Sequence, residues 1–160
     1  MMPLSRRSFL GGAAALGASA LLPQNKLQRI DVHHHITPPA FISFLAANGQ
    51  GHPIEWTLSK SLEDMDAGGT ATSLTSITSP GIWFGGVDGV RKVARDCNEY
   101  AAKLRSDYPG RFGIFATLPL PDVEGSVRET EYALDTLKAD GVCMWTNYED
   151  KWLGDPSLDP

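Results

Sequence analysis

The sequence is poor in cysteine: Cys97 and Cys143 are its only two. Neither has the spacing of a zinc-ligand set, and their surroundings read as a helix and a buried strand, where Cys serves as a small apolar residue. Two unpaired thiols are expected. Basic residues are also scarce, 14 Lys and Arg against 19 Asp and Glu, for a net charge of −5. No basic block follows the first residues, which argues against nucleic acid as a partner. Long apolar runs are missing as well. The longest, Phe9 to Leu22, is about 14 residues, too short to span a bilayer comfortably. Neither G-x-G-x-x-G nor G-x-x-x-x-G-K-[ST] follows the first strand candidate, so nucleotide binding loses its main support. What is present is a 160-residue chain, 42% hydrophobic and 21% charged, of ordinary globular composition and long enough for one domain.

The first residues read as a targeting segment. Ser5-Arg6-Arg7-Ser8-Phe9-Leu10 sets two arginines before the Gly- and Ala-rich run, and Ala18-Ser19-Ala20 offers an A-x-A cleavage site. Adjacent arginines in this setting resemble a twin-arginine export signal. A signal over residues 1–22 and a periplasmic or extracellular mature chain are expected. No Cys stands at the cleavage site, so no lipid and no stable membrane anchor is expected.

Strand and helix signals then alternate. Leu27 to His33 is a strand candidate. Pro38-Pro39 opens a helix with Phe41, Phe44 and Leu45 inward, and Asn48-Gly49 stops it. Ser59 or Ser61 can cap a helix through Met65 that Gly68-Gly69 ends. Thr70 to Thr78 is β-branched and reads as a strand. Ser79 to Gly89 is a Gly-rich loop carrying Trp83 and Phe84. The longest helix is expected from Val87 to Tyr108, with Val90, Val93, Ala94, Cys97, Ala101 and Leu104 as its apolar stripe. Phe112 to Leu118 reads as a strand buried on both faces. Pro121 to Gly141 holds a helix with Val127, Tyr132, Leu134 and Leu137 inward. Gly141 to Thr146 is a fourth strand, and Asn147 to Pro160 is polar and Pro-rich. The order βαβαβαβ implies a parallel sheet, either open and doubly wound or part of an eight-stranded barrel.

Asp31-Val32-His33-His34-His35 is the chemically informative stretch. Strand side chains alternate faces, so Asp31, His33 and His35 are expected on one side and Val32 and His34 on the other. Two imidazoles on one face can reach one metal ion, and Asp31 could orient a ligand from behind. The stretch ends a first strand, where barrel enzymes place their sites.

The run Ile30 to Pro39 is similar to the opening of the amidohydrolase-related family, whose best-known branch includes aminocarboxymuconate semialdehyde decarboxylase. Leu62 to Gly69, Ser76 to Gly85, Asn98-Glu99-Tyr100, Pro109 to Gly113, Ala116 to Pro119 and Asp140-Gly141-Val142 resemble that family in order. The resemblance implies a (β/α)₈ barrel, of which residues 27–160 would form the N-terminal half, about four βα units. It implies one divalent metal, usually zinc, with His33 and His35 as ligands from the first strand. The remaining ligands and the catalytic groups are expected on later strands, so the chain is expected to be truncated and to lack a complete site. His52, beside Pro53, reads as a plain loop residue.

The implied reaction is non-oxidative decarboxylation of a small aromatic or unsaturated acid, or hydrolysis of a C–O or C–N bond. The alternative is a non-catalytic product that folds poorly or assembles with a partner, and a homo-oligomer is compatible with either. Trp83, Phe84 and Asn147 are candidates for the substrate pocket; Trp145 is expected mainly to fill the core. Arg91, Lys92, Arg95 and Arg105 read as a solvated helix face. The export reading has a direct check: replacing Arg6 and Arg7 together by Lys should hold the precursor in the cytoplasm, and cell fractionation that still finds the double mutant outside would refute it.

Overall fold

Four strands lie side by side in chain order, all parallel, in the computed structural model, which describes residues 29–51 and 55–160. They are β1 (Arg29–Ile36), β2 (Thr70–Ile77), β3 (Phe112–Thr117) and β4 (Gly141–Cys143). Four helices make the crossovers: α1 (Pro39–Ala47), α2 (Leu58–Gly68), α3 (Val87–Asp107) and α4 (Val123–Glu131). His52, Pro53 and the first residues of the strand expected at Leu27 lie outside the described residues, as does the targeting segment.

Local chemistry explains the boundaries. Pro39 opens α1, where a missing N–H costs nothing. α2 starts earlier than expected. Thr57, not Ser59 or Ser61, is its cap, and its hydroxyl accepts from the Lys60 amide at 3.2 Å. Gly69 ends α2 in the left-handed region, with φ of 69°. Ser61 is instead buried on the inner side of the helix, which frees its hydroxyl for the strand beneath.

α3 behaves as its stripe predicts: Val90, Val93, Ala94, Cys97, Ala101 and Leu104 are all buried. Ile36, Phe112 and Ile114 meet the end of this stripe together with Met65. Ile77, Phe41 and Leu45 meet its beginning. One buried polar side chain, Asn98, interrupts the stripe and clamps the end of β3. Its amide oxygen accepts from Thr117 N at 2.7 Å, and its amide nitrogen donates to Thr117 O at 2.9 Å and to Glu129 Oε1 at 2.8 Å. Arg95 completes the group, donating to Glu129 Oε2 at 2.9 Å while lying 3.4 Å above the Tyr132 ring. Glu129, though almost wholly buried, is therefore paired and hydrogen-bonded.

Two expectations need correction here. The inward face assigned to the fourth helix is wrong: Val127 and Leu134 are exposed, and Gly125, Ser126, Glu129 and Ala133 face in. A wide helical turn at Tyr132–Thr136, closed by Leu137 N to Tyr132 O at 3.1 Å, shifts the helical phase there. The fourth strand stops at Cys143 rather than Thr146. In the polar segment after it, β5 (Asn147–Tyr148) and β6 (Lys151–Trp152) form a short antiparallel hairpin, followed by one tight turn at Pro156–Leu158.

Asp122 joins the two outer helices. It caps α4 by accepting from Gly125 N at 3.2 Å, and Arg91 of α3 grips it through both Nε and Nη2. Hydrogen bonding from Arg91 holds the Asp122 carboxyl below its ordinary range. Its contribution is therefore full above the unfolded value and is lost as pH falls through the lower folded value. Asp122→Ala should cost about 1–2 kcal/mol near neutral pH, and in denaturant titrations the gap to wild type should close as the solution is acidified through the carboxylate range.

Candidate metal and substrate site

The pairing of β1 with β2 decides which side chains share a face. Asp31 lies opposite Ser73, but His34 lies opposite Thr75, so three steps along β1 match two along β2. The extra residue falls at Val32-His33, neither of which has a partner on β2. Beyond the slip, His34, His35 and Ile36 run in step with Thr75, Ser76 and Ile77. Ile36 and Ile77 are buried against the helices, so His34, one turn of the pleat back, faces the helices too. Its Nε2 lies 2.6 Å from the Ser61 hydroxyl of α2.

His33 and His35 share the opposite, inner face. Their ring centroids are 4.8 Å apart and the rings meet edge to face at 78°. His35 Nδ1 lies 3.1 Å from the Ser76 hydroxyl. Burial, and then the nearby His33, lower the His35 pKa, favouring the neutral imidazole. A neutral ring with one nitrogen hydrogen-bonded presents the other as a lone-pair donor, so the pair suits a divalent metal. Among the described residues no group of three or more His, Cys, Asp or Glu is placed to hold a metal ion.

Asp31 is not where simple alternation puts it. The register slip carries it to the helix side, where Oδ2 lies 3.4 Å from His34 Nδ1 and Oδ1 accepts from the His33 amide at 3.0 Å. It touches neither His33's nor His35's ring nitrogens in the hydrogen bonds formed. A bulge leaves no trace in an apolar–polar pattern this short, so the sequence did not show it.

Aromatic side chains gather at the carboxyl ends of β2, β3 and β4. Phe84 meets Trp83 edge to face at 6.5 Å and packs on Phe44 of α1, while Trp83 packs edge to face on Trp145 at 5.1 Å and on Tyr148 at 5.9 Å. With Ile82, Leu118, Leu120 and Cys143 they enclose a cavity of about 10 Å³, room for one water molecule. Asn147 is not in this wall. It is exposed, and its amide donates to Glu149 O at 2.9 Å across the hairpin turn. β4 ends at Cys143, before Asn147, so the sheet does not direct this side chain toward the pocket. Tyr148 is the residue the sequence reading missed. It is buried, its hydroxyl accepts from Trp145 N at 3.0 Å, and the surrounding burial raises its pKa.

The basic residues of α3 are engaged with carboxylates: Arg91 with Asp122, Lys92 with Asp96 and Arg95 with Glu129. Arg105 donates to the carbonyls of Leu137 and Lys138. The groove of about 290 Å³ that the first three share with Arg128 therefore carries balanced charge. Cys97 and Cys143 are both free; burial pushes the Cys97 thiol up to about 12.

Comparison with known proteins fits this geometry. Residues 30–160 match the amidohydrolase family model. The chain belongs to the amidohydrolase family. A decarboxylase of Aspergillus niger is 41% identical over 131 residues, and a 6-methylsalicylic acid decarboxylase of Penicillium expansum is 38% identical over 129. Each alignment covers 76% of this chain, but only 36% and 40% of those proteins. The chain thus spans about two fifths of the length of its curated relatives. Among solved structures, an amidohydrolase II superposes with a TM-score of 0.77 at 29% identity, covering 82% of this chain and 45% of that one. A 5-carboxyvanillate decarboxylase of Novosphingobium aromaticivorans, solved with bound manganese, superposes at 0.68 and 20% identity, covering 86% and 47%. The chain's four-stranded parallel sheet corresponds to about half of such barrels. Residues 3–23 match the twin-arginine translocation signal, so the chain is exported by that pathway. No helix among the described residues is long and apolar enough to cross a membrane.

Proposed function

We propose that this chain carries the two-histidine part of a mononuclear divalent-metal site, and that the site serves non-oxidative decarboxylation of a small aromatic or unsaturated carboxylic acid. The carrying observation is the pair His33 and His35, edge to face with ring centroids 4.8 Å apart at the end of β1. The decarboxylases among the relatives support the choice of reaction over hydrolysis of a C–O or C–N bond.

Zinc is the metal we assign, since imidazole nitrogen is one of its preferred donors. The bound ion would act as a Lewis acid toward an oxygen of the substrate. The chain's own residues do the positioning. Ser76 holds His35 by Nδ1 and so directs its other nitrogen inward. Trp83, supported by Trp145 and Tyr148, offers a rigid aromatic wall against which a planar ring could lie. Phe84 is committed to α1, and Asn147 to the hairpin turn, which leaves Trp83 the stronger of the three pocket candidates. The further ligands and the catalytic groups are assigned to residues outside those described.

A second reading, a non-catalytic chain that binds metal weakly or assembles with a partner or a second copy, draws on the absence of a third ligand among the described residues. Two imidazoles hold zinc less firmly than the usual four ligands. The test is zinc retained after gel filtration, with manganese run in parallel. His33→Ala and His35→Ala should each abolish stoichiometric zinc, whereas His34→Ala, which removes a group on the helix side, should keep a measurable one-to-one complex. Equal retention by all three would overturn the site, and preference for manganese would overturn the metal.

A further inference from the structure

Asp31 is parted from the face that His33 and His35 share because β1 gains a residue between Asp31 and His34. We propose that Asp31, His34 and Ser61 form a positioning relay on the helix side of the sheet, which fixes this bulge and so sets the reach of His33 and His35 on the other side. The proposal rests on the reading of His33 and His35 as metal ligands. None of the three relay residues is assigned contact with the metal.

The extra residue creates a local problem. Val32 and His33 have no partner on β2, so the His33 N–H has no place in that ladder. Asp31 Oδ1 accepts it at 3.0 Å, closing the bulge over two residues of β1. The other carboxylate oxygen, Oδ2, stands 3.4 Å from His34 Nδ1. His34 Nε2 in turn lies 2.6 Å from Ser61 Oγ, which is buried on α2. A carboxylate can only accept, so Nδ1 is the His34 nitrogen that can donate toward Asp31, and Nε2 is the one that faces the Ser61 hydroxyl. The contacts thus run without a gap from α2, through the His34 ring and the Asp31 carboxylate, to the backbone of His33. α2 is itself pinned by the Thr57 cap and by Met65 in the core. The middle histidine of the triplet is therefore a buttress, and Asp31 acts on the ligands through the backbone rather than through a ring nitrogen.

The experiment measures Zn²⁺ affinity of the full chain by competition with a weak chromophoric chelator, together with hydrogen exchange at the His33 amide. Asp31→Ala should weaken Zn²⁺ binding about 10–100-fold and speed exchange at His33. Asp31→Asn keeps an oxygen for that amide and should recover most of both. Ser61→Ala should show a smaller loss in the same direction. Asn98→Ala, which damages the fold on the other side of β3, is the control and should destabilise the chain while leaving Zn²⁺ affinity unchanged. Wild-type affinity in Asp31→Ala, equal losses in Asp31→Ala and Asn98→Ala, or no recovery in Asp31→Asn would each overturn the relay. If Asp31→Ala does not fold, Ser61→Ala and Asp31→Asn decide, and wild-type values for both affinity and exchange in Ser61→Ala overturn it. If His33→Ala and His35→Ala bind Zn²⁺ as wild type does, the metal reading fails instead, and exchange at the His33 amide alone then judges the relay.

Discussion

The register between β1 and β2 is the constraint on which the candidate site depends. A parallel pair holds its register through evenly spaced backbone bonds, and a slip of one residue moves side chains to the other face. Here the slip falls within the histidine triplet's own strand, between Asp31 and His34. Downstream of it, Ile36 and Ile77 lock the pairing by burying together against the helices. Upstream, Asp31 loses its expected place beside His33 and His35 and gains one beside His34. The two histidines of the candidate site are thus held from both directions, by the apolar core at Ile36 and by the polar contacts before His33.

A second polar device does for β3 what the first does for β1. Asn98 bonds both the N–H and the C=O of Thr117, where β3 gives way to the loop that carries Leu118 and Leu120 into the aromatic cavity. A buried amide this fully satisfied adds specificity of position, since any shift of α3 along the sheet breaks three bonds together. Glu129 and Arg95 extend the clamp to α4, and the Tyr132 ring beneath the Arg95 guanidinium shields it. The outer helices are therefore tied to the strand ends rather than merely laid on the sheet by apolar contact.

Much of this was legible in the sequence, and the failures have physical causes. The βαβ alternation, the α3 stripe and the caps at Pro39 and Gly69 follow from periodicity and backbone preference, and these signals are local. The sharing of a face by His33 and His35 also follows from alternation, which the slip at Val32-His33 leaves intact between them. Asp31 was misplaced because a bulge is a property of a strand pair and one strand alone does not record it. The face of α4 was misread because Val127 and Leu134 are apolar, while Glu129, which is buried, owes its burial to Arg95 and Asn98 on another helix. Tyr148 was overlooked because a two-residue strand has too short a period to detect. Its only local sign was Glu149-Asp150 between Asn147-Tyr148 and Lys151-Trp152, a turn flanked by matched pairs, with Glu149 at a φ of 55°.

The two faces of the sheet carry different chemistry, and that difference argues for function on one of them. The helix side is closed by Phe41, Ile77, Phe112 and Ile114, and its polar intruders are bonded: Thr75 to Gly113 O, Asn98 to Thr117, His34 to Ser61. Such a face is built to hold. Across the sheet, His33 and His35 project from the same strand with one hydrogen bond between them to another side chain, that of His35 with Ser76. Two adjacent imidazoles are a poor means of holding a fold, since they repel when charged and are costly to bury when unpaired. Their presence at a strand's carboxyl end, buttressed from behind by residues that the apolar core alone does not require, is what a fold that must present donor atoms in a fixed direction needs.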